Sequence, residues 1–175
     1  YMNIGIIPAR LHSKRLPKKI LANIHGKPMV AHTMEKALMA NKLDRVILAI
    51  DNEETKEALK GFDFEIIMTS DHHNSGTDRI AEVVEEINGV NIIINIQGDE
   101  PLLDPTIIDN LVELFDDRNV DIASIVSNNL TVSDLLNPHV VKAVIDENRN
   151  AVEFKRDVSD LEIAGLYKHI GIYGY

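Results

Sequence analysis

Short apolar runs alternate, along the first two thirds of this chain, with segments whose apolar residues recur at helical spacing. Ile4, Gly5, Ile6 and Ile7 read as a strand, an irregular basic stretch continues to Lys19, and Met29, Val30, Thr33, Met34, Ala37 and Leu38 then share one helical face. The pattern repeats, with Val46 to Ile50 a strand, Glu53 to Leu59 a helix, Glu65 to Met68 a strand and Thr77 to Ile87 a helix. Val90 to Ile96 is almost continuously apolar, as a strand covered on both faces must be. Pro105, suited to the first turn of a helix, then opens Thr106 to Phe115. This alternation predicts an α/β fold: an open, mostly parallel twisted sheet with flanking helices, right-handed crossovers, and ligands at the carboxyl ends of the strands.

After Asp121 to Val126 the character changes. Val140 to Asp146 and Ala151 to Lys155 are β-rich runs separated by Glu147, Asn148, Arg149 and Asn150, which predicts a hairpin, and His169 to Tyr175 reads as a further strand. The Rossmann-like sheet is thus expected to carry a β-rich C-terminal subregion. With no internal repeat, low-complexity tract or linker, residues 2–175 read as a single domain, Tyr1 ahead of Met2 being set aside. A domain that ends inside a strand is expected to lack a C-terminal segment, because a terminal edge strand normally turns into a covering element.

Composition narrows the chemistry. Eighteen Lys and Arg stand against 28 Asp and Glu, a net charge of −10, which argues against unspecific nucleic-acid binding. No apolar run approaches the roughly 18 residues of a membrane span, and no leader pattern is present, so a cytoplasmic protein without membrane insertion is expected. The absence of Cys excludes disulfides, thiolate zinc sites and Cys nucleophiles, leaving His, Asp and Glu as metal ligands.

Against that acidic background, Arg10, Lys14, Arg15, Lys18 and Lys19 fall within ten residues directly after the first strand. Such a cluster can neutralise a polyphosphate, Arg forking onto two oxygens and Lys acting as a point charge; it can equally be a solvated basic loop. Neither the P-loop nor the dinucleotide glycine fingerprint is present. Gln97, Gly98, Asp99, Glu100 and Pro101 follow the most buried-looking strand. Two adjacent carboxylates there suit Mg²⁺ with substrate phosphate, or else a polar turn before a helix. Ser75 and Asp78 have capping-box spacing, which explains them without a ligand, although a helix N-terminus can also serve an anion. His72 and His73, being adjacent, point apart and read as an exposed loop rather than a ligand pair. Arg156, His169 and Tyr173, and Lys142 within its alternating run, lie on β-like segments, where an anionic substrate or ordinary packing could use them. No nucleophile elbow occurs.

In order along the chain, the motifs are Ile7-Pro8-Ala9-Arg10, Ser13, Arg15-Leu16-Pro17, Lys19 and Gly26-Lys27-Pro28-Met29. Then come His73 to Arg79, Gln97-Gly98-Asp99-Glu100-Pro101, Asn137-Pro138 with Val141-Lys142, and His169-Ile170-Gly171-Ile172-Tyr173-Gly174. Together they resemble the CMP-KDO synthetase (3-deoxy-manno-octulosonate cytidylyltransferase) family. The glycine-rich nucleotide loop of the CMP-sialate synthetases is replaced here by Arg15-Leu16-Pro17. The resemblance implies that CTP and 3-deoxy-D-manno-octulosonate (KDO) yield CMP-KDO and pyrophosphate, for lipopolysaccharide biosynthesis. It implies nucleotide binding by Pro8, Ala9, Arg10, Arg15, Lys19, Ser75, Gly76 and Gln97, and catalysis by Arg10, Lys19 and Asp99. Asp99 would hold Mg²⁺, while Gln97, Arg156, His169 and Tyr173 would face the sugar acid. A homodimer is implied for the full-length form.

Three departures from the family pattern stand out. The family continues into helices that build its dimer and a Val-Asp-Thr segment whose Asp is a second metal ligand. It has a longer loop with an Ile-Pro element where this chain has Asp157 to Gly165, and Ser where this chain has Lys155. The alternatives are CMP activation of a related sugar acid, such as 8-amino-KDO or a nonulosonate, and a nucleotide-binding module without catalysis.

Overall fold

The computed structural model describes residues 1–13, 16–162 and 164–175. They form two compact units, residues 1–123 with 172–175 and residues 124–171. The boundary falls where the sequence turns from strand-helix alternation to β-rich runs.

In chain order the first unit holds β1 (Met2–Ala9), a two-stranded ribbon of β2 (Asn23–Ile24) and β3 (Lys27–Pro28), α1 (Met29–Leu38), β4 (Arg45–Ile50), α2 (Glu53–Ala58), β5 (Glu65–Met68), α3 (Gly76–Glu85), β6 (Val90–Asn95) and α4 (Pro105–Glu113). The second unit takes most of β7 (Ala123–Ser127), then α5 (Val132–Leu136), β8 (Lys142–Ile145) and β9 (Ala151–Lys155). The last strand, β10 (Leu166–Gly174), belongs to the second unit through Gly171 and to the first from Ile172.

In the first unit the strands lie in the order β5, β4, β1, β6, all parallel, followed by the end of β10, antiparallel to β6 through Tyr173 and Gly174. The sheet is covered on both faces, so its strands read as apolar runs rather than as alternations. Ile4, Ile6, Ile47 and Ala49 pack against Ile80 and Val83 of α3. On the other face Ile7 and Val30 of α1 close around Gly98. Each such Ile or Val side chain taken fully out of water contributes about 2 kcal/mol.

Three helix starts of this unit are sealed by a local side chain. Asn52 caps α2, Ser75 caps α3, and Asp104 caps α4 ahead of Pro105 at its first position. The ribbon, which the apolar pattern did not announce, turns through His25 and Gly26, both at positive φ (48° and 86°), the backbone of a two-residue hairpin turn.

In the second unit β8 and β9 form the expected antiparallel hairpin, Ala143 opposite Phe154, with β10 on the far side of β8 and β7 beside β10. Asp146 Oδ1 accepts from the amides of Asn148 and Asn150 and closes the turn. The α5 turn went unread in the apolar pattern because it buries no residue; its sequence signal is the Thr131 and Asp134 capping box.

Candidate active site

The parallel strands place their carboxyl ends together, and there the first unit opens a cavity of about 320 Å³. Pro8 and Arg10 supply it from the end of β1. The stretch from His73 to Thr77 supplies the loop and first turn of α3, and Asn95, Gln97 and Tyr173 complete the lining with Arg79. Of the residues expected from sequence to meet a nucleotide, Pro8, Arg10, Ser75, Gly76 and Gln97 therefore converge. Tyr173, expected on the sugar side, joins them. Ala9 is buried in β1 beside them. Arg15 lies outside the described residues.

Asp99 follows β6, and its Oδ2 accepts from Lys19 Nζ at 2.5 Å, so the basic loop and the strand-end carboxylate meet directly. Both side chains are about two-fifths exposed. The backbone directs this: Lys18, at φ 52°, is held in the left-handed region and starts a single turn over Lys19–Leu21. Lys18 Nζ reaches Glu54 Oε1 at 2.5 Å, which ties down the same end of the loop.

The α3 entrance is built by two different uses of polar side chains. Ser75 Oγ accepts from the Asp78 amide at 3.1 Å and donates to Asp78 Oδ2 at 2.7 Å, so the capping seen in sequence is real. The first amides of α3 have no partner within the helix and point toward its N-terminal end, beside the cavity. Gly76 lies so near Pro8 that a Cβ at 76 would come to 3.1 Å from Pro8 Cγ, which keeps this edge of the cavity bare. Ser75→Ala is expected to cost about 1 kcal/mol through loss of the cap. Urea denaturation of the variant checks this.

One expectation from sequence does not hold. His73 is not an exposed loop residue: it lines the cavity, is largely buried, and donates from Nε2 to Glu82 Oε2. The hydrogen bond from His73, helped by the Ser70 amide, holds the Glu82 carboxyl below its ordinary range. His72 remains exposed, as expected. Arg79, read only as part of a motif, is a buried cavity residue that donates to Thr69 Oγ1 and the Ser70 carbonyl. Its signal in sequence is weak, because a charged residue one turn into a helix normally reads as solvated.

The second unit holds the other two expected residues. Ser124 Oγ lies 2.7 Å from His169 Nε2, and the Phe154 ring meets the imidazole edge-on at 4.8 Å. Burial lowers the His169 pKa from its usual value and raises that of the Tyr173 phenol. Arg156 is exposed and donates to the Pro138 carbonyl at 3.3 Å. Because the folded His169 binds its proton less readily than the unfolded one, acidification through about pH 6.5 favours the unfolded chain, the loss levelling off below the depressed folded value. The Tm is therefore expected to fall more steeply between pH 7 and 5.5 for the parent than for His169→Gln, as parallel thermal scans would show.

A divalent cation fits this arrangement in one mode. Among the described residues no group of three or more His, Asp or Glu side chains could cage an ion. A single strand-end carboxylate beside a basic loop instead suits Mg²⁺, which takes one or two carboxylates and completes its shell with substrate phosphate and water. No helix among the described residues is long and apolar enough to cross a membrane.

Comparison with known proteins agrees with this geometry. A sequence model of the cytidylyltransferase family matches residues 4–175. A 3-deoxy-manno-octulosonate cytidylyltransferase of Actinobacillus pleuropneumoniae is 44% identical over 97% of this chain and 74% of its own length; one of Haemophilus influenzae is 43% identical, over 97% and 73%. The structure of a CMP:2-keto-3-deoxy-manno-octonic acid synthetase complexed with CTP superposes with a TM-score of 0.90 at 35% identity, covering 100% of this chain and 74% of that one. A 4-diphosphocytidyl-2C-methyl-D-erythritol synthase from Anaerococcus prevotii shares the fold alone, with a TM-score of 0.63 at 13% identity.

Proposed function

The chain belongs to the cytidylyltransferase family, and from that premise we propose that it activates KDO by transfer of CMP from CTP, releasing pyrophosphate. The observation that carries the reading is the meeting of Lys19 and Asp99 at the mouth of the parallel sheet, beside a cavity edged by Arg10 and the α3 N-terminus.

The anomeric hydroxyl oxygen of the sugar acid forms a bond to the α-phosphorus of CTP. The bond from that phosphorus to the α,β-bridging oxygen breaks, pyrophosphate leaves, and the hydroxyl proton passes to solvent. Such a transfer depends on neutralising phosphate charge and aligning the two oxygens more than on a strong base. Arg10 and Lys19 supply positive charge at the triphosphate, and Arg15 is assigned to it by resemblance alone. The Ala9 backbone and Pro8 shape its approach, and Ser75 and Gly76 enclose the nucleoside. Asp99 would hold Mg²⁺, which supplies further charge neutralisation on the phosphates. Gln97 and Tyr173 are assigned to the sugar acid. Arg156 and His169 are assigned to it by resemblance alone, Arg156 for its carboxylate. The reading places the reaction in the cytoplasm, in lipopolysaccharide synthesis, with a homodimer as the working form.

Pyrophosphate release tests this, measured with CTP, Mg²⁺ and KDO and with each omitted in turn. Parallel arms replace CTP by UTP, and KDO by 8-amino-KDO or a nonulosonate. Release that requires CTP and is fastest with KDO is expected. Faster release with another acid would transfer the assignment to that acid, and CTP binding without release from any acid would make the chain a nucleotide-binding module.

A further inference from the structure

The nucleotide cavity is bounded by two segments far apart in sequence, the loop after β1 that carries Arg10 and the start of α3 that carries Ser75, Gly76 and Arg79. One carboxylate, itself outside the cavity lining, touches both. Asp51, the first residue after β4, accepts from the Leu11 amide through Oδ1 at 3.0 Å, and its Oδ2 faces Arg79 Nη2 at 3.4 Å. The pair is buried, with side-chain exposures of 9% for Asp51 and 4% for Arg79. Arg79 is held in turn by Thr69, whose hydroxyl donates to the Ile50 carbonyl at 2.9 Å. Leu11, the neighbour of Arg10, is itself buried, so its amide has little freedom once bonded.

We propose that Asp51 is a positioning residue for the nucleotide: by bridging Leu11 and Arg79 it fixes the spacing between the Arg10 edge and the α3 edge of the cavity. The proposal rests on the CTP reading above. A buried ion pair is a poor device for stability alone, since apolar residues of similar volume often serve as well. No apolar residue can accept from the Leu11 amide and hold a guanidinium at once. Asp51 uses each of its oxygens on a different segment, and each segment carries cavity residues.

Asparagine separates this role from simple packing. It matches Asp51 in size but has one acceptor oxygen, so whichever way the amide is turned, an N–H group faces either the Leu11 amide or Arg79. In Asp51→Asn the KM for CTP is expected to rise about tenfold with kcat within about threefold of the parent, the pattern of lost ground-state binding, while the KM for KDO is unchanged. Calorimetric titration with CTP should show the same weakening. An unchanged KM and affinity, accompanied only by a lower Tm, would overturn the proposal. Should Asp51→Asn fail to fold, Asp51→Glu, which keeps the charge and both acceptors on a longer stem, is expected to fold and to weaken CTP binding about threefold; parent-like affinity would overturn the proposal. A parent chain that binds no CTP would remove the CTP reading and this proposal with it. A parent that binds CTP alongside variants that bind equally would remove only the role of Asp51.

Discussion

Asp99→Asn is expected to lower turnover about 10³-fold while leaving the fold intact. The carboxylate stands at the end of β6, at the mouth of the sheet, and holds Lys19 at 2.5 Å. An amide of the same shape can still accept one hydrogen bond from Lys19, but it loses the charge that would bind Mg²⁺ and that orients the lysine. Removal of one such electrostatic contact at a transferring phosphorus typically lowers kcat by about 10³-fold. Stability should barely move, because an ion pair this exposed contributes at most about 1 kcal/mol. Steady-state kinetics across an Mg²⁺ series, with a urea titration as control, would decide the matter. A variant with parent-like kcat and Mg²⁺ dependence would remove Asp99 from the metal site.

The largest stability effect is expected at Lys142, far in sequence from the nucleotide loop. Its side chain is fully buried in the second unit, where Nζ donates to the carbonyls of Asn137 at 2.9 Å and Arg156 at 2.5 Å. The ammonium thereby stitches β8 to the start of the Asn137-Pro138 loop and to the end of β9. Lys142→Ala would leave a cavity along the four-carbon stem and two carbonyls without their donor, a loss of about 3 kcal/mol or more. Lys142→Met keeps most of the stem volume and should cost less, about 1–2 kcal/mol, for the unmet carbonyls alone. Denaturant titrations of the three proteins test the order parent, Met, Ala. If both variants matched the parent, the buried ammonium would not be what holds this unit.

What could be read from sequence follows the physics of each element. Strands buried on both faces, such as β1 and β6, and helices with one apolar stripe, such as α1, announce themselves through apolar spacing. The 23–28 ribbon and α5 do not, because two-residue strands have no period and α5 buries nothing. Among site residues, the loop cations and Asp99 were visible as charges concentrated at strand ends. Asp51, Thr69, Arg79 and His73 were not, because their partners are backbone groups and side chains from other loops and from α3, and a polar residue destined for a buried network looks in sequence like one destined for water. Lys142 stood out in its alternating run, but substrate use and ordinary packing stayed open there because its partners are carbonyls, which carry no sequence signal.

The most direct test of nucleotidyl transfer follows two labels. CTP labelled in either its α- or its γ-phosphate is incubated with the chain, Mg²⁺ and KDO, and the products are separated. The α label is expected in a CMP–sugar ester, and the γ label in pyrophosphate, only when KDO is present. Transfer of the γ label to the sugar, or release of pyrophosphate with the α label left in free CMP from the outset, would contradict it.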